Sequence, residues 1–127
     1  EWKLDLKSKT NSSPIVHSNR LYIGCEDGIK AVNINTHKVS WEYDCNDVQS
    51  TPFFYDDVVY FGCDDGHLYG LDKDNGKVVL NKKLDGKFKS SPIVVNDSIY
   101  IGSNNGKLYS VGTDKEKRRN NENRYRK

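Results

Sequence analysis

The feature that most constrains this chain is an internal repeat of about forty residues. Ser13-Pro14, Thr51-Pro52 and Ser91-Pro92 recur 38 and 40 residues apart. Ten residues after each proline (Pro14, Pro52, Pro92) stands a glycine, Gly24, Gly62 or Gly102, and four residues later another, Gly28, Gly66 or Gly106. Trp2, Trp41 and Leu80 hold one phase at intervals of 39. One residue is missing between Gly28 and Trp41 relative to Gly66 and Leu80, an irregularity that a turn absorbs most easily. A chain of this kind stacks like units against one another, each contacting its neighbours.

In the second copy, residues 50–55, 58–63, 67–71 and 77–82 read as four short strands. Between them lie Asp56-Asp57, Asp65-Gly66 (a type I′ hairpin signal) and Asp74-Asn75-Gly76. The third copy turns at Asn96-Asp97 and Asn105-Gly106. Eight tyrosines and four phenylalanines against a single alanine favour strand over helix. A half-exposed strand should alternate apolar and polar residues, yet 21–23, 58–61 and 98–101 are apolar almost throughout. Such strands need cover on both faces, which radially stacked blades supply, so the expected fold is an all-β propeller. The glycine closing each apolar run is expected where a neighbouring backbone comes close or a bulge forms.

The stretch Asp65-Gly66-His67-Leu68-Tyr69-Gly70-Leu71-Asp72, continuing to Gly76-Lys77, resembles the repeat of pyrroloquinoline-quinone (PQQ)-type propellers. That repeat runs from an Asp-Gly turn through Tyr-Ala-Leu-Asp to a Gly-Lys turn and a docking tryptophan, then Ser-Ser-Pro and a Val-Tyr-x-Gly strand. The first copy supplies Asp27-Gly28, Ala31-Val32-Asn33, Lys38 and Trp41. The third supplies Ser90-Ser91-Pro92-Ile93-Val94, Asn105-Gly106 and Lys107-Leu108-Tyr109-Ser110-Val111. No Trp-Asp or Gly-His signature of the WD-type propeller closes the copies. The resemblance covers residues 1–114 as three repeats, 2–40, 41–79 and 80–114. It implies four-stranded antiparallel blades with the Ser-Pro strand innermost and the tryptophan strand outermost. Residues 1–6 then form an outer strand, and 107–112 a third strand with no fourth beside it. Three blades do not close a ring of four to eight. Either the remaining blades of a longer propeller or a head-to-tail homo-oligomer is expected to complete it. The absence of methionine makes Glu1 an unexpected translational start, pointing to a removed leader or a piece of something longer.

By the resemblance, the family divides into quinone-dependent dehydrogenases and non-catalytic propellers. The former hold PQQ and Ca²⁺ on the axis, often beside a disulfide between adjacent cysteines. Here no two cysteines are adjacent and no long insertion interrupts the repeats. No catalytic, cofactor-binding or metal-binding residue is therefore expected. His17, His37 and His67 lie in or beside turns with no nucleophile motif. Cys25 and Cys63 occupy one repeat position, held by Ser103 in the third copy, and read as small half-buried strand residues. The run from Asp72 to Gly76 is similar to the start of a calcium loop, but its twelfth position is Lys83 where glutamate is required.

Turns joining outer to next inner strand, and second to third strand, are expected on one side of the propeller. That side gathers Glu26, Asp27, Asp44, Asn46, Asp47, Asp64, Asp65, Lys87 and Phe88 as a candidate partner face. Residues 115–127 carry seven basic residues against two acidic ones, net +5 within a total of +2, so the remainder carries −3. This tail is expected to be disordered, with nucleic-acid or anionic-surface binding as its alternative use. No stretch approaches the ~18 apolar residues of a membrane span. The expected function is a non-enzymatic protein-interaction or scaffolding module. It is similar to the propeller lipoproteins of bacterial outer-membrane assembly or to repeat sensor domains, which implies an extracytoplasmic setting. A fragment of a PQQ-dependent alcohol or sugar dehydrogenase is the enzymatic alternative.

Overall fold

The computed structural model describes residues 1–113; the basic tail, with its expected disorder and surface binding, lies outside them. The described residues form three antiparallel sheets. The first blade contains β1 (Ile15–His17), β2 (Arg20–Cys25), β3 (Gly28–Asn33) and β4 (Lys38–Asp44). The second contains β5 (Phe53–Tyr55), β6 (Val58–Gly62), β7 (His67–Asp72) and β8 (Val78–Lys83), and the third β9 (Ile93–Val95), β10 (Ser98–Gly102) and β11 (Leu108–Gly112). Within each blade the strands pair in chain order, and the inner strands β1, β5 and β9 touch in succession. The result is a three-bladed arc of an all-β propeller.

The core lies between the blades. Every residue of β6 is buried, and its side chains alternate between two clusters. Val59, Phe61 and Cys63 face blade 1 and meet Tyr22, Ile29, Ala31 and Trp41. Val58 and Tyr60 face blade 3 and meet Ile99, Ile101 and Val111. The continuous apolar run of the middle copy is thus explained by cover on both sides. At the ends of the arc the same run behaves differently: β10 alternates in burial, and Leu21 and Ile23 of β2 are only half-buried.

Several devices recur at each repeat. The Ser12 hydroxyl donates to the Gly24 carbonyl (3.1 Å) and accepts from the Gly24 N–H (2.9 Å). Ser50 does the same with Gly62 (3.4 and 3.4 Å), and Ser90 with Gly102 (2.8 and 3.2 Å). The serine before each Ser/Thr-Pro step therefore ties the chain entering a blade to that blade's second strand. The paired glycine is small for a reason: a Cβ on Gly24 would stand 2.3 Å from the Val48 carbonyl, and one on Gly62 2.5 Å from the Phe88 Cβ. Ladder bulges instead sit between Ala31/Val32 and Gly70/Leu71, leaving Ser40 and Val79 as the extra residues beside Trp41 and Leu80.

Trp41 joins blade 1 to blade 2. Its indole lies on Gly76, where a Cβ would come within 2.6 Å of the ring. Its Nε1–H donates to the Lys73 carbonyl at 2.9 Å. The Tyr22 hydroxyl (3.2 Å) and Arg20 Nη1 (2.5 Å) donate to the same oxygen, and Arg20 also pairs with Asp74 at 3.1 Å.

Three expectations need correction. Asp65-Gly66 is not a type I′ turn, because only Gly66 has positive φ (88°). The Gly66 N–H donates to the Cys63 carbonyl and the Cys63 N–H to the His67 carbonyl, which is a type I turn closed by a glycine bulge. Positive φ at both central residues belongs to Asp56-Asp57 and Asn96-Asp97. Gly28 is not the counterpart of Gly66, since Gly28 pairs with Asp44 as His67 pairs with Lys83. The missing residue is therefore in the β2–β3 turn itself. Residues 1–6 form no strand. They lie over blade 1, with Trp2 stacked on His37 (centroids 4.1 Å apart) and Leu4 and Leu6 lining a groove with Leu21, Ile23 and Val32.

Trp41→Ala should lower unfolding free energy by about 3–5 kcal/mol, the usual loss for a buried large aromatic. Trp41→Phe, which keeps most of the contact but removes the N–H, should lose roughly 1–2 kcal/mol, and urea denaturation separates the two. Gly62→Ala should destabilise by about 1–3 kcal/mol through overpacking against Phe88. Gly102→Ala, whose nearest atom is the Ser90 Oγ at 3.3 Å, should be clearly milder in the same assay.

Candidate partner-binding face

The second-to-third-strand turn of each blade is hydrogen-bonded to the loop entering that blade. The Glu26 N–H donates to the Lys9 carbonyl (2.8 Å), Asp64 to Asp47 (2.9 Å) and Asn104 to Lys87 (2.9 Å). This repeated bond brings most of the acidic and amide side chains singled out in the sequence to one rim. The three positions do not carry equal charge. They read Lys9-Glu26-Asp27 in the first repeat, Asp47-Asp64-Asp65 in the second and Lys87-Asn104-Asn105 in the third, so negative charge concentrates at the middle of the arc.

Glu26, Asp27, Asp44, Asn46 and Lys87 are exposed, whereas Asp47, Asp64 and Asp65 are half-buried. Asp27 and Glu42 pair with the buried Lys30 ammonium at 3.4 and 2.9 Å. Burial alone opposes charge on Lys30, but the Glu42 and Asp27 contacts outweigh it and raise its pKa. Asp65 accepts from the Tyr69 hydroxyl and from the His67 N–H. Burial first, then the Asp65 carboxylate, pushes the Tyr69 phenol far above its ordinary range. Asp64 accepts from Gln49 Nε2 at 2.7 Å through one oxygen. Its other oxygen, and Oδ1 of Asp47, are buried without a hydrogen-bond partner. Burial, then the neighbouring Asp64 and Glu26 charges, raise the Asp47 pKa.

Phe88 leaves the face. It is fully buried, packed on Gly62 between blades 2 and 3, at the repeat position of the equally buried Val48. Sequence reasoning placed it in a loop, which is correct, but the space above a glycine draws its ring inward. Two further surfaces stand out. Residues 5–7 and β4 border a groove of about 630 Å³ near Lys30 and Glu42. The outward face of blade 3 exposes Ile93, Val95 and Leu108, with Leu108 74% accessible. Tyr100, the ladder partner of Ile93, stands among them half-buried. This bare face follows from the expectation that three blades do not close a ring and need further blades or a second copy to complete it.

For the calcium and quinone of the catalytic PQQ propellers, a carboxylate-rich donor set would be needed. Among the described residues no three His, Cys, Asp or Glu side chains converge to hold a metal ion. No chemistry is therefore assigned through that centre among the described residues.

Several solved structures share this arrangement. BamB from Moraxella catarrhalis superposes with a TM-score of 0.81 at 23% identity, over 90% of this chain and 37% of that one. The quinohemoprotein alcohol dehydrogenase from Pseudomonas putida HK5 gives 0.75 at 21% identity, over 87% of this chain and 20% of the enzyme. The computationally designed Ika4 protein gives 0.67 at 15% identity, over 79% and 64% of the two chains. At these identities the likeness is one of fold, and this chain spans just over a third of the length of that BamB. A search of curated proteins gives no match. The family model described as outer membrane protein assembly factor BamB matches residues 1–125, and the chain belongs to that family of PQQ-type β-propellers.

Proposed function

We propose that this chain is a non-catalytic propeller segment that works by docking protein, either further blades or a separate partner, onto the open end of its arc. The observation that supports this reading most is the outward face of blade 3. Ile93, Val95, Tyr100 and Leu108 occupy ladder positions on the face opposite the buried Ile99, Ile101 and Val111. The matching face of blade 2, with Val58, Tyr60 and Leu68, is covered by blade 3. The same kind of surface is thus buried once and bare once. Beside it runs β11, whose outer edge has no strand paired to it among the described residues. An apolar sheet face with an open edge is what a further blade or a strand-donating partner fits. A head-to-tail copy of this chain is one such partner. The family's extracytoplasmic members make a periplasmic or secreted setting the natural one for this role.

The acidic rim is the secondary contact of the proposal. Holding Asp47 and Asp64 half-buried with unpartnered oxygens lowers stability, and a partner's cationic or N–H groups would satisfy them.

The dehydrogenase alternative has its own assay: PQQ with Ca²⁺ should produce neither quinone binding nor dye-linked alcohol oxidation. Either one would make the enzymatic reading the better one.

Sedimentation of the whole chain should show concentration-dependent association that Leu108→Asp and Ile93→Asp each weaken by about tenfold or more. Because these side chains are exposed, their melting temperatures should move little. A chain that stays monomeric at all concentrations and binds no apolar-surface dye would refute the open-face reading. Asp47→Asn should raise the thermal midpoint at pH 7 by about 2–4 °C. The sign follows from the raised folded-state pKa: the native fold prefers the protonated carboxyl, so Asp47 costs stability increasingly as pH rises through that pKa. The gain should therefore shrink as pH falls toward 4.

A further inference from the structure

The described residues contain three cysteines, and two of them meet across the boundary between blades 1 and 2. Cys45 begins the loop leaving β4, and Cys63 follows the last residue of β6. The Asn46 N–H donates to the Cys63 sulfur at 3.1 Å. The Cys45 thiol donates to the Asn46 carbonyl at 3.4 Å, and Cys45 packs against the apolar cluster that contains Cys63. Their separation in sequence is 18 residues. In the repeat, the position of Cys45 is Leu6 in the first copy and Leu84 in the third, while that of Cys63 is Cys25 and Ser103. Only the boundary between blades 1 and 2 therefore sets thiol against thiol. Cys63 and Cys25 are buried and Cys45 is half-buried, so an outside reagent reaches the pair through Cys45.

We propose that Cys45 and Cys63 are an oxidisable pair that closes to an intramolecular disulfide and pins the end of the outer strand of blade 1 to the second strand of blade 2. The oxidant is a disulfide, either a small one such as oxidised glutathione or that of a thiol–disulfide oxidoreductase. The Cys45 thiolate attacks one sulfur of the oxidant, forming a mixed disulfide and expelling one oxidant thiolate. The Cys63 thiolate, with the Asn46 N–H already directed at its sulfur, attacks Cys45 Sγ. The mixed bond breaks and the second oxidant thiolate leaves. Two electrons pass from the cysteines to the oxidant, and the two cysteine protons end on the two released thiols. Contact with Cys63, then burial, raises the Cys45 pKa, so closure should accelerate from pH 7 to pH 9 without levelling. This inference stands apart from the docking role and holds whether or not the open face binds a partner.

The test treats the whole chain with oxidised glutathione, blocks remaining thiols in denaturant and maps peptides by mass spectrometry. The expected product has a single alkylated cysteine, Cys25, and one cross-linked peptide pair joining Cys45 to Cys63. Its thermal midpoint should exceed that of the reduced protein by about 5 °C, a gain that dithiothreitol abolishes. Cys25→Ser should form the same cross-link. Cys63→Ser should stop at a stable glutathione adduct on Cys45, because the resolving thiol is gone. If that variant does not fold, Cys45→Ser serves instead and should yield neither cross-link nor adduct. A stable glutathione adduct on Cys45 in the unmutated chain would overturn the proposal. So would three alkylatable thiols after oxidation, or a cross-link through Cys25 or between two chains.

Discussion

The arc depends on the joint at which a bulky side chain on the outermost strand of blade 1 is seated on a turn of blade 2. That side chain is Trp41, whose ring lies on Gly76 while its indole N–H meets the Lys73 carbonyl. Three donors converge on that oxygen, all from blade 1, and the oxygen belongs to blade 2. Neither sheet could bury its apolar face alone, so the joint fixes the angle at which Tyr22 and Ile29 meet Val59 and Phe61. At the second boundary Leu80 holds the same phase, buried in the cluster with Phe88 and Ile99. The Leu80 side chain has no donor to offer, and the larger Phe88 stands there in place of Val48.

Repetition accounts for why the strands were readable. The alternation of β6 between two clusters follows from an apolar run bounded by turns, and the serine-to-glycine ties follow from Ser-Pro and glycine at fixed spacing. What the sequence concealed was geometry that depends on two segments at once. Asp65-Gly66 resembles a two-residue turn in composition, but the ladder partners Gly62 and Leu68 leave room for a longer one. Gly28 shares a residue type with Gly66, not a place in the ladder. Phe88 is polar-flanked in sequence, yet the cavity above Gly62 decides where it goes. Cys45 matches no repeat position of its own type, and its partner becomes visible only once blades 1 and 2 are side by side.

The candidate rim was legible as topology but not as energetics. Asp and Asn are what hairpin turns require, and several here do that work: the Asp65 side chain accepts from the His67 N–H, and Asn105 from the Lys107 N–H. Asp47 and Asp64 differ in leaving buried oxygens unpartnered, a distinction that residue type cannot carry. Turn chemistry explains the outer members of the rim and leaves the middle ones in need of another reason.

The two ends of the arc are unlike in a way that bears on assembly. Trp2 stacks on His37 much as Trp41 lies on Gly76, and the two receiving residues correspond. Asn33 to His37 and Asp72 to Gly76 are both closed by a backbone N–H donated over four residues, and both receiving residues have positive φ, 61° and 72°. Residues 1–6 therefore sit on blade 1 where the outer strand of a preceding blade would sit, without a sheet of their own to pair with. At the other end β11 is a third strand with no fourth beside it in the described residues. One end offers an outer segment already carrying its docking tryptophan, and the other offers an edge of the kind such a segment pairs with. The two are complementary by construction of the repeat, because each is half of the joint that Trp41 makes inside the chain.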